Sequence, residues 1–351
     1  MEESGSERGR RRGTPTTTYC VTGATGFIAS SLVNLLLQSG YNVHATLRHP
    51  AKSSKLLSLW TNTDRLQLFK ADLREEGSFD EAVKGCDGVF HVAASMTFNV
   101  DQQDNIEEYV QTNVINPEIK GTINVLKSCM KSRSVKRVVL TSTISTLTGK
   151  DADGKRKRFV DESCQTFVDQ VWKNKPSGWV YALSKRLSED AAFKFASQNG
   201  IDIVSVITST VSGPFLTSNV PSSVQLLMAP ITRDPNFLRI VSTVNERIGS
   251  VAVVHTSDIC RAHVFLMEHT KAKGRYLCCV GSYTLSELTE RLSRHCHVKL
   301  ERCVDEKQNW MRSEVGNKKL KDLGFQFEHG IDDIIKDTVS ACVQCGFISL
   351  T

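Results

Sequence analysis

Tyr181-Ala182-Leu183-Ser184-Lys185 sets a phenol and an ammonium four residues apart, one turn along a single helical face. A phenol that ionises near pH 10 is a poor proton donor at neutrality. An ammonium one turn away stabilises the phenolate, as does a positively charged nicotinamide ring, so the pair can act as a general acid. Upstream, the apolar run Val138-Val139-Leu140 ends in Thr141-Ser142-Thr143. A hydroxyl at such a strand end can donate to a carbonyl oxygen that gains charge as it is reduced. Thr143 is the expected donor and Ser142 the adjacent alternative. The plainer reading is a threonine that satisfies its own strand-end backbone. The Tyr–Lys spacing recurs by chance, so its meaning rests on its surroundings.

Those surroundings begin at Gly23-x-x-Gly26-x-x-Ala29, between a short apolar strand and an amphipathic helix. Gly23 permits a tight turn, Gly26 lets backbone approach a pyrophosphate, and Ala29 allows close helix–sheet packing. The helix start then offers unpaired N–H groups and the positive end of its dipole to phosphate. The loop contacts expected are Thr22, Gly23, Thr25, Gly26, Phe27 and Ile28. The next strand ends Leu47-Arg48-His49, with Arg48 twenty-two residues past Gly26. An NAD site usually carries an acid near this point to hold the ribose 2′-hydroxyl. An arginine instead suits a 2′-phosphate, with Lys55 adding charge, so NADP(H) is the expected cofactor. A solvated surface arginine is the competing explanation.

Elements that could position these groups alternate along the chain. Strands are expected at Thr18–Thr22, Tyr41–Leu47, Leu66–Lys70, Gly88–Ala93, Arg137–Ser142, Ile201–Ile207 and Val251–Val254. Helices are expected at Phe27–Gln38, Asn113–Ser132, Tyr181–Gln198 and Ile259–Glu268. Near-continuous apolar strands alternating with helices imply an α/β fold, a doubly wound parallel Rossmann sheet covered on both faces. After Gly213-Pro214 come Pro221, Pro230 and Pro235 and only short apolar stretches. The expected division is a basic, disordered tail over 1–17 and a Rossmann domain over 18–213, joined by a strand and helix from 251–270. A smaller substrate-binding lobe takes 214–250 and 271–351.

Composition narrows the class. With 40% hydrophobic and 23% charged residues, the 351-residue chain is ordinary for a soluble globular protein. Met1–Thr18 is polar and lacks the apolar core of a secretory signal, and no apolar run reaches membrane-spanning length. A cytoplasmic protein is expected. The net charge of +6 sits in loop-like clusters, including Arg8–Arg12 and Lys150–Arg158, with no aromatic platform beside them, so no nucleic-acid partner is assigned. Eleven cysteines with no signal read as buried free thiols, and Cys342-x-x-Cys345 stands without a second pair. His295, Cys296, His297 and Cys303 alternate on one short segment, which is too little to assign a metal.

Together these residues resemble the extended short-chain dehydrogenase/reductases, and within them the plant dihydroflavonol and anthocyanidin reductase group. The resemblance runs from about Tyr19 to Phe347. It is carried by Val21-Thr22-Gly23-Ala24-Thr25-Gly26-Phe27-Ile28-Ala29, Lys70-Ala71-Asp72-Leu73, Gly85–Ala93, Val135–Val139, Tyr181-x-x-x-Lys185 and Gly213-Pro214-Phe215. It implies that Asp72 and Leu73 contact adenine and that Val92, Ala93 and Ala94 line the middle of the cofactor. Lys185 would also hold the nicotinamide ribose, and Thr143 stands where the family has its catalytic serine. Ser95, Thr148 and Ser209 are the substrate-side residues implied.

Ala29, the loop Leu216–Ser223, and Thr148 in place of an asparagine common in dihydroflavonol reductases lean toward anthocyanidin reductase. Thr208-Ser209-Thr210 departs from the family's Pro-Thr-Leu at the nicotinamide end, and Phe215–Ile248 also resembles related toxin-ketone reductases. The expected function is NADPH-dependent reduction of a flavonoid-like small molecule, most simply an anthocyanidin to a flavan-3-ol. A dihydroflavonol or other aromatic-ketone reductase is the alternative. A nicotinamide sensor without turnover is the alternative of another class; such a protein would usually lack the tyrosine or the lysine.

Overall fold

The computed structural model describes residues 17–49, 54–95, 100, 104–151, 153–297 and 312–349, the side chains of Ser54, Lys55 and Glu246 excepted. The expected tail lies almost wholly outside the described residues, as do Cys303 and the side chain of Lys55.

Seven strands form the central sheet: β1 (Thr18–Val21), β2 (Asn42–Leu47), β3 (Leu66–Lys70), β4 (Gly88–His91), β5 (Arg137–Thr143), β7 (Ile203–Thr208) and β10 (Gly274–Cys278). Their order is β3-β2-β1-β4-β5-β7-β10, and every pairing is parallel. β4, β5 and β7 are buried along their whole length. That is why they read as nearly unbroken apolar runs rather than alternating ones. The chain leaves β1 toward β2 and β3, then returns to β4 on the other side of β1. The crevice between β1 and β4 is therefore the switch point at which such sheets bind ligands.

The helices that matter for the site are α1 (Phe27–Gln38), α2 (Asn116–Ser132) and α3 (Trp179–Asn199). A wide π turn over Gln111–Ile115 leads into α2, so the helix proper starts three residues later than the apolar spacing suggests. Pro117 sits in the first turn of α2, where its missing N–H costs nothing. Gly200 closes α3 in the left-handed conformation.

The proline-rich stretch is more regular than its sequence implies. It holds α4 (Ser222–Thr232) and α5 (Pro235–Ile248). Pro230 stands inside α4 and forgoes the backbone bond to Leu226 near the helix's end, whereas Pro235 opens α5 behind the Asp234 cap, where proline costs little. The strand β9 (Val251–His255) does not join the central sheet. It pairs in parallel with β8 (Thr210–Ser212) and antiparallel with β11 (Gly281–Tyr283). The helix after it, α6 (Thr256–Glu268), returns to pack on α1, β5 and β7. β10, expected in the lobe, instead forms an edge of the central sheet.

Two further helices, α7 (Leu285–Cys296) and α8 (Ile331–Gln344), close the lobe with α4 and α5. Their shared core includes Leu227, Met228, Val241, Leu288, Leu292, Ile334 and Ile335. The short strands β6 (Phe159–Val160) and β12 (Glu314–Val315) pair beside it.

Candidate active site

The glycine loop sits where the sheet switches direction. Gly23 has φ of 70°, and a Cβ there would come within 3.0 Å of Ala93. The two strand ends, β1 and β4, are therefore in contact through a position that only glycine fills without strain. A Cβ on Gly26 would stand 3.2 Å from the Gly23 carbonyl. Gly26 begins α1 without any side-chain cap, so the first N–H groups of the helix remain available to an anion. These two features, a cradle without side chains and an uncapped helix start, fit a pyrophosphate.

Thr22 plays a different part from the one expected. It is fully buried, and its hydroxyl accepts the Val92 and Ala93 N–H groups, each at 3.0 Å. It shapes the loop from beneath rather than facing the crevice. Thr46 supports the same turn, its hydroxyl accepting the Gly23 N–H at 3.2 Å.

Arg48 is exposed just past β2, and its charge helps to hold the Asp72 carboxylate down. The larger cause is a hydrogen-bonded pairing of Asp72 with Arg74, which takes its pKa to about 2. The two sequence-predicted residues are thus close enough to interact, at the β2 side of the crevice. Leu73 packs against Gly121 at the start of α2, where any Cβ would clash with it.

At the carboxyl end of β5, Thr143 is 8% exposed and hydrogen-bonded to the Tyr181 phenol. Its Oγ1 also accepts the Ser145 N–H at 3.3 Å, so the strand-end role and the site role coexist. Burial raises the Tyr181 pKa. The positive charge of Lys185 and the Thr143 hydrogen bond both act to lower it, while the negative charge of Glu118 acts to raise it. Lys185 itself is almost enclosed, with Nζ 3.4 Å from Glu118 Oε1. The alternative hydroxyl, Ser142, is buried.

The substrate-side residues are less concentrated. Ser95 follows β4 and gives its backbone N–H to Glu118 Oε2 at 2.8 Å. Thr148 takes the Lys150 N–H on its hydroxyl, and so forms part of a turn. Ser209 is buried and donates to the Cys278 carbonyl at 3.0 Å. Thr208 beside it donates to the Ser142 carbonyl at 3.0 Å, so two of the three hydroxyls of this departure from the family pattern tie strands together. Two residues escaped sequence reasoning: Glu118, and Arg247 at the end of α5. Arg247 donates to the Ser145 carbonyl beside Thr143 at 3.3 Å. Both meet the site from far along the chain, and neither belongs to a motif.

Two groups of possible metal ligands occur among the described residues, His255 with His329 and Asp337, and Asp258 with Glu328 and His329. His255 Nδ1 accepts the Ser257 N–H as the cap of α6, which places the proton of the neutral ring on Nε2. A metal would need that second nitrogen bare, and metal-bound imidazoles normally donate through the other one. Asp258 accepts the backbone N–H groups of Glu328 and His329, which fastens the segment leading into α8 to the first turn of α6. Ten cysteines among the described residues are free, and of these Cys345 alone is exposed. No described helix is long and apolar enough to cross a membrane.

A pyrophosphate cradle at the switch point and a Thr–Tyr–Lys group at the carboxyl edge define a dinucleotide-dependent oxidoreductase of the short-chain type. The chain belongs to the NAD dependent epimerase/dehydratase family, whose model matches residues 19–279. A Ginkgo biloba relative is 44% identical over 95% of this chain and 96% of its own. A Vitis vinifera protein named anthocyanidin reductase ((2S)-flavan-3-ol-forming) is 40% identical, over 92% of this chain and 94% of its own. The dihydroflavonol 4-reductase of Arabidopsis thaliana is 37% identical over 95% of this chain and 84% of its own. Among solved structures, vestitone reductase from alfalfa superposes with a TM-score of 0.79 at 32% identity, covering 94% of this chain and 99% of that one. The fold, with its parallel seven-stranded sheet, is that of the extended short-chain reductases, and the protein is a reductase of that group.

Proposed function

We propose that the protein is an NADPH-dependent flavonoid reductase whose substrate is an anthocyanidin, reduced to a flavan-3-ol. The observation that carries this reading is the hydrogen-bonded Thr143–Tyr181 pair with Lys185 one turn along α3. It supports hydride addition with proton transfer at an oxygen-bearing carbon, and the names of the relatives supply the substrate class. NADPH, when bound, supplies hydride, and conversion of the flavylium cation to a flavan-3-ol consumes two hydrides, from two NADPH, and one proton. Arg48, exposed beside Asp72 at the end of β2, suits the 2′-phosphate. Gly23, Gly26 and the start of α1 suit the pyrophosphate, and Lys185 suits the nicotinamide ribose. Thr143 orients the substrate oxygen, and Tyr181 donates or relays the proton. Burial holds the phenol's pKa up, and the Lys185 charge and the Thr143 hydrogen bond act against it, which is what helps a buried phenol to give up its proton.

A second reading, reduction of a 4-ketone such as a dihydroflavonol, is favoured by the Thr208-Ser209-Thr210 segment. There, Thr208 and Thr210 stand where the family pattern has proline and leucine, and the Thr208 and Ser209 hydroxyls bond to neighbouring strands. NADPH oxidation by the purified protein with cyanidin and, separately, dihydroquercetin distinguishes the two, with products resolved by chiral chromatography. Catechin or epicatechin from cyanidin supports the first reading. A product from dihydroquercetin alone moves the assignment to ketone reduction, and full turnover by Tyr181→Phe removes the tyrosine from its role.

A further inference from the structure

Glu118 lies in the first turn of α2, sixty-seven residues from Lys185 in the chain, and its side chain is 2% exposed. A buried carboxylate is kept ionised only by partners that replace its lost hydration. Glu118 has two. Oε1 is 3.4 Å from Lys185 Nζ, and Oε2 accepts the Ser95 backbone N–H at 2.8 Å. Lys185, with 8% of its side chain exposed, is likewise removed from bulk water. The pair is screened little, so the carboxylate alters the charge that reaches anything nearby.

What is nearby is Tyr181. The lysine favours its phenolate and Glu118 opposes that effect, while the Thr143 hydrogen bond acts with the lysine. His91, at the end of β4, also feels the lysine and is held neutral by burial. Tyr181 therefore faces one cation and one anion, not a bare ammonium. We infer that Glu118 is a positioning residue: it fixes Lys185 Nζ relative to the Ser95 backbone and offsets the lysine's charge beside Tyr181. The same tie joins the segment after β4, where substrate-side Ser95 lies, to the catalytic helix α3. This inference rests on the assignment of Tyr181 as proton donor and adds a residue that sets when it can donate.

The test is an alkaline titration of tyrosinate absorbance in the full-length protein saturated with NADP+, compared among native, Tyr181→Phe, Glu118→Gln and Glu118→Asp proteins. The step missing from Tyr181→Phe identifies Tyr181. In Glu118→Gln that step moves to lower pH, and the alkaline limb of NADPH-dependent reduction moves with it. Glu118→Asp, which restores the charge, moves both back toward the native position. Glu118→Met, uncharged and of similar volume, serves as a second neutral variant should Glu118→Gln fold poorly by circular dichroism. A Tyr181 step at the native pH in the neutral variants overturns the inference and leaves Glu118 a buried structural partner. The spectrophotometric arm needs no substrate, so a wrong flavonoid assignment does not touch it. The substrate panel above tests that assignment separately.

Discussion

Thr22 Oγ1 and His91 Nδ1 lie 3.0 Å apart beneath the glycine loop, and the direction of their hydrogen bond follows from the other contacts of Thr22. The threonine oxygen already accepts two backbone N–H groups, from Val92 and Ala93. Its own hydrogen is left for His91 Nδ1, so the imidazole is neutral and carries its proton on Nε2, facing Thr122 Oγ1 at 3.3 Å. A protonated ring would present a second donor to an oxygen with no room to accept. The glycine loop proposed to cradle the cofactor is thereby tied to an uncharged histidine.

Acid should loosen this arrangement. Burial lowers the pKa of His91 to about 3 and that of His263, under the sheet, to about 4. For a base lowered by folding, the unfolded chain binds the extra proton. The stability from the neutral form is complete above pH 6.5 and is lost as the pH falls from there through the folded pKa. Urea denaturation between pH 7 and pH 5 should show declining stability, each histidine adding a slope approaching about 1.4 kcal/mol per pH unit. His263→Gln should flatten that slope by one such contribution. An unchanged slope would mean that His263 is not buried neutral.

Thr143 offers the sharpest mutational contrast. Thr143→Ala removes the hydroxyl that meets both Tyr181 and the Ser145 N–H, and kcat should fall by roughly 10²–10³-fold, the usual loss for one donor at a reacting oxygen. Thr143→Ser retains the hydroxyl and should stay within about tenfold of the native rate, since the serine oxygen can reach the same partners. Steady-state kinetics on the substrate identified above decides it. Equal losses in both variants would show that the methyl group, not the hydroxyl, is what the site needs.

The parts of the molecule with local signals were legible in the sequence. Gly23, Gly26, Thr143, Tyr181 and Lys185 each sit beside a strand end or on a helix that periodicity alone locates, and the sheet brings those ends to one edge. Glu118 and Arg247 were not legible, because what matters about them is a contact across tens of residues with no fixed spacing. The helices α4 and α5 were hidden by their prolines: Pro235 sits in a first turn, where proline is tolerated, and Pro230 interrupts only the last turn of α4. Val251–His255 has the pattern of a buried strand, but pattern does not say which sheet it joins. Here the second sheet takes it, and Gly274–Cys278 fills the edge of the first.

The cysteines should be chemically quiet despite their number. Burial lifts the thiols of Cys86, Cys129, Cys260, Cys279 and Cys342 to about 12, so almost no thiolate exists at neutral pH. Brief iodoacetamide treatment of the native protein at pH 7.5 should therefore label Cys345, the exposed thiol among the described residues, and leave these five unmodified. Peptide mapping after quenching in denaturant checks this. Native labelling of Cys129 or Cys260 would reveal local opening of the sheet–helix packing rather than reactivity of the folded state.

Arg48 should decide between the two nicotinamide cofactors. It stands exposed at the end of β2, where an acid would favour an unphosphorylated ribose, and its charge already reaches Asp72. A charge-assisted contact with a 2′-phosphate is worth about 1.5–3 kcal/mol, which is roughly a ten- to hundredfold difference in affinity. Arg48→Ala should raise the Kd for NADPH by that factor and leave the Kd for NADH nearly unchanged, because NADH has no phosphate to lose. Arg48→Asp should go further and reverse the preference, repelling the phosphate and accepting the ribose hydroxyls. Fluorescence titration of both cofactors against native and variant proteins reads this directly. Parallel losses for NADPH and NADH would place the 2′-phosphate elsewhere and return Arg48 to the solvated surface.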